Sequence, residues 1–202
     1  MYELYFLPGA CSLATQVVLR ELGQEVKIIN RQQVEGFEAI NPIGSVPVLV
    51  DDGAVLTEGA AIMIYLLKKH RSPLLPSGGA EYQAALQDIM FANATMHPAY
   101  SKLFFIAQNV TDEKTKRDIF DAAAESIRKL WDVVESKLSD RQYLGGDHPS
   151  AADIMLAVYS RWGDYFPVDI SFGARTREML AAVQSMPSFV RSVQAEQDEV
   201  AR

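Results

Sequence analysis

Strand signals stop at Leu56, and this most limits what the 202-residue chain can fold into. Before that point apolar period-2 runs alternate with a helical pattern; after it the chain is helical almost to the end. Residues 2–6 are aromatic and apolar, end at Pro8-Gly9, and read as a strand. Residues 12–22 place Leu13, Val17, Val18 and Leu22 on one helical face, closed by Gly23. Residues 26–29 form a second strand. Asn41-Pro42 and Gly44 mark a loop before Val46-Pro47-Val48-Leu49-Val50, and Asp52-Gly53 is a hairpin signal with Ala54-Val55-Leu56 as partner. A helix follows from Gly59 through Leu67. The order β-α-β, loop, β-β-α predicts a small α/β domain over residues 1–75. A Pro/Gly/Ser-rich linker spans residues 71–79. An all-α domain over residues 82–202 then holds helical segments near 82–108, 112–138, 150–163, 174–185 and 188–201.

Composition narrows the partners. With 49% hydrophobic and 22% charged residues the chain reads as an ordinary soluble protein, large enough for two small cores. A formal net charge of -7 argues against a nucleic-acid or anionic-membrane surface, because phosphates require clustered Lys and Arg. One cysteine permits no internal disulfide. The N-terminal apolar stretch lacks the basic residues of a secretory signal, and the longest apolar run, Ala60 to Leu67, is too short for a bilayer. A cytoplasmic protein is expected.

Three places can carry chemistry. Cys11 stands where the first strand gives way to a helix, and free N–H groups and the helix dipole there favour an anion. A thiol in that position can have a lowered pKa and react or bind. Ser12, in the first turn, can cap the helix or donate to a bound thiolate; a small buried cysteine beside a capping serine is the alternative. Pro47 cannot donate to a sheet ladder, so it belongs at a strand start or edge. That leaves the polar groups of Val46 open to an extended peptide, or simply marks a plain edge strand. Glu58 followed by Gly59 at a helix start offers a carboxylate for an ammonium and exposed N–H groups for a carboxylate, unless Glu58 merely favours the helix dipole. Together these features suit a small thiol peptide.

Two other motifs read as structural. Ser150 and Asp153 form a capping-box pattern before Ile154-Met155-Leu156. His70, His97 and His148 are scattered without metal-ligand spacing, so no metal is expected; His70 and His148 read as surface residues.

The ordered set PGACS, NPIGSVPVL, LTEGAAIMIYL and PSAADIMLA resembles the glutathione S-transferases, and the cysteine-containing turn is most similar to the bacterial beta class. The resemblance spans essentially the whole chain. It implies a thioredoxin-like N-terminal domain, a helical C-terminal domain, a homodimer, and glutathione as co-substrate. It places Cys11 beside the glutathione sulfur and pairs Val46 with the cysteinyl main chain ahead of a cis Pro47. It has Glu58 and Gly59 hold the γ-glutamyl end, and brings His97 into the site from the helical domain. Cys11, Ser12 and His97 would serve catalysis; Met90, Met96, Tyr100 and Phe104 are candidate walls of a cleft for a small hydrophobic electrophile, with the core the favoured place for any single one of them. The chain departs from the class pattern at Phe6, where a tyrosine is common, and at Pro98, where a lysine often follows the histidine. Tyr5 cannot replace the missing tyrosine, since neighbouring strand residues face opposite sides. Two further readings stay open: a thiol-disulfide oxidoreductase using Cys11 as nucleophile, and a non-catalytic glutathione- or ligand-binding protein.

Overall fold

A computed structural model describes residues 1–201. Its first strand, β1 (Tyr2–Phe6), buries Tyr2, Leu4 and Phe6 on one face and leaves Glu3 and Tyr5 half-exposed on the other. Helix α1 (Ser12–Glu21) supplies the crossover to β2 (Val26–Asn30), which pairs parallel with β1. Strand β3 (Val48–Asp51) runs antiparallel to β1 and continues to β4 (Ala54–Leu56), giving the order β2-β1-β3-β4. The β3–β4 turn holds Asp52 at φ 49° and Gly53 at φ 84°, the left-handed pair that an Asp-Gly hairpin requires. Helix α2 (Gly59–Lys69) packs Ile62 and Leu66 with Leu4, Leu19 and Leu49 into one core. The end of β3 is tied to α2 through Asp51, whose carboxylate accepts from Tyr65 and Lys69. His70 is half-buried and shares a 2.8 Å hydrogen bond with the Tyr2 hydroxyl, so it is not the surface loop residue expected.

The remaining elements are helical: α3 (Gly79–Met90), a π-helical turn over Phe91–Met96, α4 (His97–Asn109), α5 (Glu113–Lys137), α6 (Ala151–Tyr159), α7 (Ala174–Gln184) and α8 (Pro187–Val200). The single segment expected over 82–108 is interrupted by the π-helical turn. Pro98 offers no N–H to residue 94, which removes a rung of the helical ladder where the interruption falls.

Contacts divide the chain into two compact units, Met1–Tyr82 with the segment from Gln184 onward, and Gln83–Val183. Helix α8 thus belongs with the α/β unit, where it packs on α1 and β2, rather than with the helical residues preceding it. Amphipathic periodicity marks which face a helix buries but not which unit receives it. Within the second unit, Ser150 and Asp153 form a complete capping box. The fully buried Asp153 carboxylate also accepts from Leu144 N–H at 2.9 Å and Ser150 N–H at 2.7 Å. A Cβ added at Gly145 would lie 2.5 Å from the His148 carbonyl, so only glycine fits the loop that Asp153 gathers.

Candidate functional site

Every first-unit residue singled out from the sequence lies where strand ends meet helix N-termini. Cys11 is the N-cap of α1. Leu13 and Ala14 N–H already bond to the Ala10 and Cys11 carbonyls at 3.1 Å each. That leaves the N–H groups of Cys11 and Ser12, both of which favour a charged Cys11 sulfur. The Cys11 thiol donates to the Val46 carbonyl at 3.3 Å. Despite the helix terminus its pKa is pushed up to about 11, chiefly by burial, with the carboxylates of Glu196 and Glu58 adding to the effect. The lowered pKa expected from the helix dipole is therefore not found. Loss of hydration outweighs two N–H groups. Cys11 is a neutral S–H donor at pH 7.

Ser12 is fully buried, and its Oγ neither caps the helix nor has a hydrogen-bond partner. Of its two expected roles capping is excluded. Phe6 is fully buried, and Tyr5 on the opposite face of β1 packs its ring 5.4 Å from that of Phe37.

The Val46–Pro47 bond is cis, and β3 begins immediately after it, at Val48. Val46 is half-exposed and its N–H has no partner among the described residues. Buried Asn41 shapes the loop that presents it, donating to the Ser45 carbonyl at 2.9 Å and accepting from Ile43 N–H at 3.3 Å. Nothing in the sequence marked Asn41 for this role beyond its place in a turn.

Glu58 adopts φ 67° and ψ 107°, left-handed backbone that costs a residue with a Cβ about 1–3 kcal/mol. Its carbonyl accepts the first α2 bond, from Ile62 N–H at 2.9 Å, so the N–H groups of Gly59, Ala60 and Ala61 start the helix without intrahelical partners. The exposed Glu58 carboxylate makes no cap bond and no ion pair among the described residues. The start of α2 thus presents an idle carboxylate beside open N–H groups on strained backbone.

His97 opens α4 in the second unit. Its half-buried ring packs edge-on against Trp162 at 5.1 Å and Tyr159 at 5.2 Å, and burial lowers its pKa, which keeps it neutral at pH 7. Ser101 Oγ donates to the His97 carbonyl at 3.0 Å and lies 3.3 Å from Nδ1. Of the expected cleft walls, Met96 and Tyr100 are fully buried, and the Tyr100 hydroxyl accepts from Trp131 Nε1 at 2.9 Å. Those two are core. Phe104 is half-buried and Met90 exposed. Among the described residues no three His, Cys, Asp or Glu side chains gather as a metal ligand set, and no helix is long and apolar enough to cross a membrane.

Comparison with known proteins identifies the family. Residues 2–68 match the family described as glutathione S-transferase, N-terminal domain, and residues 117–166 match glutathione S-transferase, C-terminal domain. A glutathione S-transferase of Xanthomonas campestris, GST-4.5, is 34% identical over 177 residues, covering 84% of this chain and 86% of that protein. A sphingomonad glutathione S-transferase solved in complex with glutathione superposes with a TM-score of 0.83 at 30% identity, over 96% of this chain and 98% of the other. The bacterial beta class enzyme of Sphingomonas chungbukensis does so with 0.82 at 27% identity, over 96% and 98%. The chain belongs to the glutathione S-transferase family.

Proposed function

We propose that this protein binds glutathione in its first unit and conjugates the glutathione thiolate to a small hydrophobic electrophile, a detoxifying reaction. The observation that carries the reading is the start of α2, where an idle Glu58 carboxylate at φ 67° adjoins three open N–H groups. That pair complements the ammonium and carboxylate of a γ-glutamyl end. The free N–H and the carbonyl of Val46 complement the peptide in the middle of glutathione, and the N-terminus of α1 suits its sulfur.

The state of Cys11 then assigns the nucleophile. An ordinary thiol ionises near 8.5, whereas Cys11 is held near 11. Of two sulfurs brought together, the ligand's loses its proton first. Cys11 can turn its S–H from the Val46 carbonyl to that thiolate, which then attacks the electrophile. The same ordering disfavours disulfide exchange through Cys11, which would need the protein sulfur ionised. For His97 we infer proton handling, supported by an imidazole that burial keeps neutral. Ser12 retains only the role of an N–H donor toward sulfur, since its hydroxyl is enclosed.

Cys11→Ala is expected to keep conjugating activity while its KM for glutathione rises about two- to tenfold, the loss of one neutral hydrogen bond. Steady-state kinetics at saturating electrophile measures this. Conjugation abolished in a folded Cys11→Ala, together with loss of disulfide reduction, would assign the chemistry to the protein sulfur instead.

We also infer a homodimer, the usual assembly of the family. Light scattering at micromolar concentration is expected to give twice the 22.4 kDa of one chain, and a particle of one chain's mass would refute it.

A further inference from the structure

Helix α8 lays a buried polar stripe, Ser188, Ser192 and Glu196, along α1. The spacing is i, i+4, i+8, and α1 answers with Gln16 and Arg20 at the same spacing. Gln16 Nε2 donates to Glu196 Oε1 at 2.7 Å, and Arg20 Nε to Ser192 Oγ at 3.1 Å. Glu196 also makes a contact that no packing argument requires: its Oε2 accepts from the backbone N–H of Gly9 at 2.8 Å. Gly9 holds φ 70° in the turn between β1 and α1. A buried carboxylate costs several kcal/mol of lost hydration, and an apolar residue of like volume would join two helices at least as firmly. Gly9 and Gln16, which both donate to Glu196, sit on either side of Cys11 in the chain. One is in the turn leading into it and the other on the first turns of the helix leaving it.

We propose that Glu196 is a positioning residue for the glutathione-binding turn, clamping Gly9 and Gln16 so that the N–H groups of Cys11 and Ser12 and the Cys11 sulfur are set before the ligand arrives. This rests on the reading of that turn as the sulfur site. The clamp brings a negative charge toward the same sulfur. The groups that act on Cys11 are Glu196 from α8, Glu58 at the start of α2, the N–H groups of Cys11 and Ser12, and the Val46 carbonyl. Glu196 therefore fixes the turn and adds its charge to the burial that keeps the thiol protonated.

Two variants separate these effects. Glu196→Gln retains an oxygen for Gly9 N–H, and its amide N–H can meet Gln16 Oε1, a buried acceptor without a partner. Geometry survives and charge is removed. Glutathione KM should stay within about twofold, while alkylation of the single cysteine by iodoacetamide at fixed pH should rise roughly threefold, because a charge that disfavours the thiolate is gone. Glu196→Ala removes the clamp. Glutathione KM should then rise about tenfold or more with the KM for electrophile unchanged, since a charged hydrogen bond and the order it imposes are lost. A folded Glu196→Ala with wild-type glutathione KM and a wild-type alkylation profile overturns the proposal, as does an equal rise in both KM values. If Glu196→Ala fails to fold, an unchanged alkylation profile in Glu196→Gln overturns it. Calorimetry of wild-type protein with reduced glutathione tests the underlying reading separately. If no binding is seen that reading fails, and the alkylation profiles still decide whether Glu196 governs the turn.

Discussion

Glutathione affinity is expected to fall about ten- to a hundredfold in Glu58→Gln, with the fold nearly unaffected. The carboxylate would lose a charged hydrogen bond to the γ-glutamyl ammonium, roughly 1.5–3 kcal/mol, and every 1.4 kcal/mol is tenfold. Its effect on the helix dipole is smaller, about 0.3 kcal/mol at an exposed position, because solvent screens it. A companion variant sharpens the test. Glu58→Gly removes the same carboxylate and also relieves the φ 67° backbone, so it should bind as poorly as Glu58→Gln yet unfold at higher denaturant, by about 1 kcal/mol. Affinity and stability then move in opposite directions, as expected for strain kept at a binding site. Isothermal calorimetry with reduced glutathione, paired with urea unfolding, measures both. Unchanged affinity in Glu58→Gln would leave Glu58 as nothing more than a strained helix start.

The largest stability effect is expected at Asp153. Asp153→Ala should cost about 3–5 kcal/mol, a large share of the roughly 5–15 kcal/mol that holds a domain together. The carboxylate is fully buried and accepts from Leu144 N–H, Ser150 N–H and the Ser150 hydroxyl at 2.7–2.9 Å. Removing it strands those donors away from water, at about 1–3 kcal/mol for each that cannot find another partner. Burial raises the Asp153 pKa while the same donors oppose the rise, so the ionised form depends on all of them together. Ser150→Ala loses the cap bond from Asp153 N–H and the hydroxyl's own bond to the carboxylate but keeps both backbone donors in place, and should cost only about 1–2 kcal/mol. Urea denaturation of the two variants separates a hub from a simple cap. Asp153→Ala within 1 kcal/mol of wild type would show that the loop over residues 144–150 repairs itself.

The α/β half was legible in the sequence because its signals are local. Alternation in Tyr2–Phe6, the Asp52-Gly53 turn and the Gly23 cap each act within a few residues, and the structure places elements at all three. The Ser150–Asp153 box was legible for the same reason. The site was legible as positions more than as states. Cys11, Val46 and Glu58 fall at element junctions, but whether the Cys11 thiol gains or loses acidity depends on how much protein covers it, and burial is a tertiary quantity. For Met96 and Tyr100 the cleft and the core both stood open, because helical spacing gives a face but not what lies opposite, and the favoured core reading holds. Glu196 was missed altogether. Its partners Gly9 and Gln16 are 187 and 180 residues away, and a lone Glu on a polar stripe reads as a solvated surface.

The placement of α8 has a consequence for how the protein is made. The α/β unit takes its final helix from beyond Gln184, with residues 83–183 synthesised in between. At ~5–20 residues per second the ribosome needs on the order of 5–20 s for that interval. Through it the nascent sheet and α1 are out of the tunnel without the helix that covers them, and Gln16 and Gly9 lack their carboxylate. The turn we propose for the sulfur would otherwise be the first part finished and is instead completed late, so a nascent chain stalled before α8 should bind immobilised glutathione poorly even when its four strands have already paired.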